Sequence, residues 1–243
     1  MLRSRFRPRG SDRNPSKGSG QATIKEEVMA TAATPAVHTT PAVPATSGRL
    51  AGALAGPAFF ASAIAQMLTR EGFDITRHPI SQLATGDLGW IQIATFVLAG
   101  LGGLALAAGV GRTITEGVGR RALPILVGVF GAGLVSAGLF TMDPENGFPA
   151  GTPDGPAAQM SWHGVAHSVA AAVSFTALAV AAIVLTVRYA RRRAVLPAVL
   201  SGAAALVLLL PMSPDHMSIQ IAVNGLVAFT WTTVLALSQR RSA

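Results

Sequence analysis

The sequence predicts an all-α, polytopic membrane protein: a bundle of six transmembrane helices behind a disordered N-terminal tail. Three observations carry this. Half of the 243 residues are hydrophobic and only 12% are charged, with a mean hydropathy of +0.47, whereas about a quarter of a soluble domain is charged. The apolar residues gather into six long runs rich in Ala, Leu, Val and Gly. The connections between those runs alternate between arginine-rich and arginine-poor.

The first block, residues 1–48, is rich in Arg, Ser, Thr, Pro, Ala and Gly and has no apolar stripe. Such a segment cannot bury enough apolar surface to offset its ordering entropy and is expected to be disordered. Lys25-Glu26-Glu27-Val28 precedes Met29. In a bacterial gene those codons can take the form of a ribosome-binding site, so translation is expected to start at Met29, leaving residues 1–28 untranslated.

From Arg49 onward the six runs cover about 50–68, 89–110, 122–142, 162–187, 194–212 and 217–237. Each approaches or exceeds the roughly 20 residues that cross a bilayer core as a helix. Strands would need alternation or shorter runs. Pro124 and Pro197 fall in the first turn of their helices, where a missing N–H costs little. Pro57 lies inside the first helix and predicts a kink. Ala61-Ser62-Ala63 has the form of a signal-peptidase site, but the apolar run continues past it to Met67-Leu68.

Orientation follows from the arginines. Arg49, Arg112, Arg120, Arg121, Arg188, Arg191, Arg192, Arg193, Arg240 and Arg241 fall on one side of a six-helix topology, and only Arg70 and Arg77 on the other. The positive-inside rule then puts both termini in the cytoplasm. The expected location is a bacterial plasma membrane, with the cytoplasmic arginines meeting anionic lipid headgroups. The net charge of +8 therefore reflects orientation and tail composition, and nucleic acid is not an expected partner. With no cysteine, thiolate chemistry and disulfides are excluded.

The acids collect on the outer side: Glu71, Asp74, Asp87, Asp143, Glu145, Asp154 and Asp215. So do His78, His163, His167 and His216. Gln66, Gln82, Gln92, Gln220 and Asn224 share the bias. Polar side chains within a membrane are costly and tend to face a bundle interior or a wet cavity. A polar outer pocket is expected, with His78, Gln82, Asp215, His216, Gln220 and Asn224 as its candidates. The Pro- and Gly-rich stretch Asp143 to Pro156 reads as a loop with the composition of a lid.

Trp162-His163-Gly164-Val165-Ala166-His167 places two histidines four residues apart on one helix face. That spacing can chelate a transition metal, zinc being the best fit, with Asp143, His78 or His216 as a third ligand. The alternative is that the histidines hydrogen-bond to neighbouring helices or loop backbone. In His78-Pro79-Ile80-Ser81, Pro79 holds the chain extended and Ser81 could cap a short interfacial helix. Ser81 beside a histidine lacks an orienting acid and makes a poor nucleophile. Gly52 and Gly56, and Gly128, Ala132 and Ser136, mark close helix packing within the chain.

His78-Pro79-Ile80-Ser81-Gln82-Leu83, Phe140-Thr141-Met142-Asp143-Pro144 and His163-Gly164-Val165-Ala166-His167 together resemble a bacterial family of integral membrane proteins known as domain of unknown function 998, over roughly residues 50–237. The resemblance implies a multi-helix membrane protein and lends no activity. Three functions stay open. The least demanding is a non-catalytic sensor, accessory subunit or structural partner. The second is a metal-dependent intramembrane hydrolase using His163 and His167. The third is a small transporter acting as an oligomer.

Overall fold

The computed structural model describes residues 45–239. The tail expected to be disordered, the Met29 start and Arg240 and Arg241 lie outside the described residues, except that the first helix begins inside the expected tail. The described residues hold six α-helices and no strand: α1 (Ala45–Thr69), α2 (Gly89–Thr113), α3 (Ala122–Leu139), α4 (Trp162–Arg191), α5 (Val195–Leu208) and α6 (Met217–Ser238). Five are long and apolar enough to cross a membrane, α6 counted with its lead-in from Pro214. They are helices of a multi-pass membrane protein. Large apolar side chains such as Leu54, Leu98, Ile125, Ile183, Leu206 and Leu226 stand exposed on them, which suits lipid and not water.

The fifth run is shorter than its hydropathy suggests. It was expected to extend to about residue 212, but α5 stops at Leu208 after 14 residues, about 21 Å at the α-helical rise. Pro211 is the physical reason. It has no N–H to give the carbonyl of Val207, and its ring would clash there. The carbonyls of Leu210 and Pro211 instead accept from Gln220 Nε2 at 3.4 and 2.8 Å. Conversely α4 runs to Arg191, past the expected end, so Arg188 is helical rather than part of a loop.

Each helix packs against its neighbours in the chain, and α1 and α6 close the ring. The middle is aromatic: Phe59 lies 5.2 Å from Phe96 and 4.7 Å from Phe229, and Phe130 lies 5.9 Å from Phe229, measured between ring centroids. Of the expected small residues, Gly52 and Gly56 make close contacts within the chain. A Cβ on Gly128, by contrast, would stand 3.7 Å from Ala107, and Ala132 is exposed, the close approach on α3 falling at Gly131 instead. A Cβ on Gly56 would sit 2.8 Å from Phe229 Cβ, and one on Gly131 would meet the backbone of Leu104 at 2.7 Å. Helix α1 continues through Pro57. The carbonyl of Ala53, which Pro57 leaves without an intrahelical donor, accepts from Thr233 Oγ1 of α6 at 3.3 Å.

The two ends of the ring differ in kind. One end carries the short connections 114–121 and 192–194. There the buried Arg188 sends Nη1 to the carbonyls of Glu116 and Val118, both at 2.8 Å. The other end carries residues 70–88, 140–161 and 209–216, and with them seven of the eight acids that follow Met29. The candidate residues lie at this acidic end.

Candidate functional site

Helices end with unpaired backbone groups, four carbonyls at one terminus and four N–H groups at the other. At the acidic end α3 and α4 solve this for each other. His167, one turn into α4, donates from Nδ1 to the carbonyls of Ala137 and Phe140 at the end of α3, both at 2.9 Å. Asp143, just beyond α3, returns the favour. Its Oδ2 accepts from the backbone N–H of Ser161 at 2.8 Å, and Ser161 is the N-cap of α4, its Oγ accepting from Gly164 N. A carboxylate over a helix N-terminus is also favoured by the helix dipole. Gly164 leaves the room for it, since a Cβ there would come within 2.4 Å of Asp143 Oδ2. Asp143, Gly164 and His167 thus form one reciprocal clasp.

His163 takes no part in it. Its ring packs on Trp162 and Phe140, at 3.8 and 5.7 Å between centroids. The metal centre expected from His163, His167 and Asp143 is not assembled. Among the described residues no group of three or more His, Asp or Glu side chains comes together that could hold a metal ion. The spacing of the two histidines was read from their shared helix face, but His167 turns to carbonyls and His163 to aromatic rings.

The first and third connections dock onto each other. Asp74 N–H donates to His78 Nδ1 at 2.9 Å, and His78 Nε2 donates to the carbonyl of Asn146 at 2.9 Å. That pair of bonds describes the neutral ring protonated on Nε2. Asp74 Oδ1 accepts from Thr76 N and Oγ1, and these bonds, the side-chain one first, hold its carboxyl below the ordinary value. Phe148, buried, sits between Phe73, His78 and the guanidinium of Arg70, which lies 4.8 Å from its ring centroid. Residues 140–161 are thereby joined to the first connection through Asn146 and Phe148.

Arg70 holds more than Phe148. Its Nη1 donates to Leu83 O at 2.5 Å and its Nη2 to Thr85 O at 2.6 Å. This fixes the segment Ile80–Ala84, a 3-10 helix of which every residue is buried against α1, α2 and α6. Ser81 was expected to cap an interfacial helix. It makes no cap, and its Oγ faces Met142 Sδ at 2.8 Å. Arg77 pairs with Asp154 at 2.9 Å in the open. The two arginines that break the charge asymmetry are therefore both tied into this end of the molecule.

Four further carboxamides are buried in the 3-10 helix and in the three long helices it packs on. Gln66, Gln82, Gln92 and Asn224 are 4%, 0%, 0% and 1% exposed. Gln66 Nε2 donates to Gln92 Oε1 at 2.8 Å. Gln66 Oε1, Gln92 Nε2 and both polar atoms of Gln82 and of Asn224 have no hydrogen-bond partner in the protein. A buried polar atom left unpaired costs about 1–3 kcal/mol, so this grouping works against stability.

Of the six pocket candidates, the structure buries His78, Gln82 and Asn224 at this end. Gln220 is spent on the turn after α5, its Oε1 accepting from Ser213 N at 2.8 Å. Asp215 and His216 are exposed on the short lead-in to α6. They do not join the buried group. Gln66 and Gln92 were visible as polar residues near helix ends but were not counted among the candidates. Their burial in the aromatic layer's neighbourhood was the missing signal. Arg70 and Phe148 carried no sequence mark beyond a charge on the wrong side and an aromatic in a Pro-Gly loop.

A family model described as a protein of unknown function, DUF998, matches residues 53–238. No curated protein and no solved structure matches the chain.

Proposed function

This chain belongs to the DUF998 family of proteins of unknown function, and we propose that it is a non-catalytic, six-span protein of a bacterial plasma membrane with both termini cytoplasmic. It would act as a sensor, an accessory subunit or a structural partner through its acidic outer end. The observation that supports this reading is the clasp. Asp143 and His167, the residues best suited to chemistry by type and spacing, are committed to capping α3 and α4. His78 is likewise committed at both ring nitrogens. Side chains fixed to backbone groups in this way support a scaffolding role for these three residues.

The charge asymmetry supports the orientation, and the arginine end would lie against anionic headgroups. The sixth crossing rests on α5 together with residues 209–213. The 14 helical residues alone fall short of a hydrocarbon core about 30 Å thick.

Metal analysis with unfolding tests the clasp reading. Wild-type protein stripped with a chelator should melt at an unchanged temperature, and His167→Ala should melt lower in metal-free buffer. About one equivalent of zinc, lost in His163→Ala and His167→Ala, would overturn it in favour of the hydrolase. A reporter fused after Asp154 should be external and one after Arg192 internal, and the reverse would refute the orientation.

A further inference from the structure

The unpaired carboxamides are not explained by the clasp or by the packing of the bundle. Phe59 touches both Phe96 and Phe229. Gln66 lies seven residues beyond Phe59 on α1, Gln92 four before Phe96 on α2, and Asn224 five before Phe229 on α6. At about 1.5 Å per helical residue, all three stand about 6–10 Å to the acidic side of the phenylalanines. The segment Ile80–Ala84 packs on the same three helices and brings Gln82. Buried polar atoms are ordinarily paired, and orphans call for a partner from outside the chain.

We propose that Gln66, Gln82, Gln92 and Asn224 line one internal binding site for a small uncharged solute bearing hydroxyl or amide groups. The phenylalanines form its floor and the Arg70-held 3-10 helix its cover. The ligand class follows from the atoms. The six unpaired ones are three oxygens and three nitrogens, that is, acceptors and donors in equal number. Turning the Gln82 or Asn224 carboxamide end for end leaves that balance unchanged. A bare cation would satisfy the oxygens, leave the NH2 groups facing it, and meet no carboxylate among these residues. An anion would leave the oxygens unpaired. A molecule that both donates and accepts satisfies both sets, and a charged one would bear a desolvation cost that nothing here offsets. The site lies beyond the function proposed above and stands whether or not the chain is catalytic.

The test is ligand-observed NMR on the full chain in lipid nanodiscs, with glycerol, acetamide and erythritol as probes and sodium chloride and sodium phosphate as competitors. At least one neutral probe should bind saturably, with neither salt competing. Asn224→Leu should weaken that binding at least tenfold without lowering the melting temperature of the ligand-free protein, because it removes two unpaired buried atoms. Gln82→Met repeats the test from the cover, should the α6 variant not fold. Absence of saturable binding by every neutral probe would overturn the proposal, as would displacement by sodium. So would unchanged affinity in both variants, or a fall in melting temperature in both, which would mark the carboxamides as a structural network.

Discussion

The two ends of the helix ring use the same device for different purposes. At the arginine end Arg188 bridges two carbonyls of a short connection, Glu116 and Val118. At the acidic end Arg70 bridges two carbonyls as well, Leu83 and Thr85, but these belong to a segment packed on three helices that bury carboxamides. Connections of 2–8 residues are usual between bundle helices, and the arginine end uses connections on that scale. The acidic end uses residues 70–88 and 140–161, folds them onto each other and buries Phe148 between them. Connectivity does not require this. The difference teaches that the bundle is closed economically on one side and built up into a surface on the other.

The clasp should be the costliest part to break. His167→Ala strips the donors from Ala137 O and Phe140 O and leaves a cavity beside Phe96. A loss of about 3 kcal/mol is expected, read by thermal or denaturant unfolding in detergent. Gly164→Ala should cost about 1–3 kcal/mol by driving a methyl into Asp143, with the added Cβ the only chemical change. A cost at the arginine end above that of His167→Ala would remove the contrast between the ends.

The two arginine bridges give the next contrast. Arg70→Ala and Arg188→Ala each lose two charge-assisted bonds to backbone, on the order of 2 kcal/mol. Their local signatures should differ. Hydrogen exchange should rise across residues 80–85 and 146–149 in the first and across 114–121 in the second. Arg70→Lys should restore little, because a single ammonium does not span two carbonyls as the planar fork does. Exchange confined to the substituted residue in Arg70→Ala would show that the cover does not depend on it.

The smallest effects belong to the exposed groups. Removing the Arg77–Asp154 pair, with side chains 51% and 83% exposed, should change stability by less than about 0.5 kcal/mol, and less still at high salt. Asp74 is held below its ordinary pKa by its bonds from Thr76. A lowered carboxyl contributes its ordering above the unfolded pKa and loses it as pH falls through the folded one. NMR signals of residues 74–78 should therefore shift below the usual carboxylate range, at a lower pH in wild type than in Thr76→Val. Identical midpoints in the two would remove the role given to Thr76.

Helix positions were legible because an apolar run long enough for a bilayer has few other uses. What hydropathy does not register is a missing donor, so α5 was read past Leu208 towards Pro211. Nor does it register where a long side chain ends. Arg188 was placed in a loop because its charge seemed to close the span, whereas its guanidinium reaches the neighbouring connection from within the helix. Asn224 was marked as a polar residue within an apolar run, whereas the burial of His78 and Gln82, both placed in a loop, carried no such mark. For His167 a metal and hydrogen bonds to a neighbouring helix were both open, and the second is the one made. The capping of α4 by Asp143 was not foreseen, because its type and spacing suit a metal and a helix cap equally. Only the carbonyls opposite His167 decide between them, and a linear pattern does not contain them.

The clasp also has a consequence for how the protein is made. The donor that finishes α3 is 30 residues further along the chain than the Ala137 carbonyl it serves. At about 5–20 residues per second, a ribosome takes roughly 2–6 seconds to supply it. Until the fourth helix arrives, the carbonyls that end the third lack this donor. The third and fourth helices therefore complete each other as one hairpin, and a chain ending between them would lack the donor for the Ala137 carbonyl.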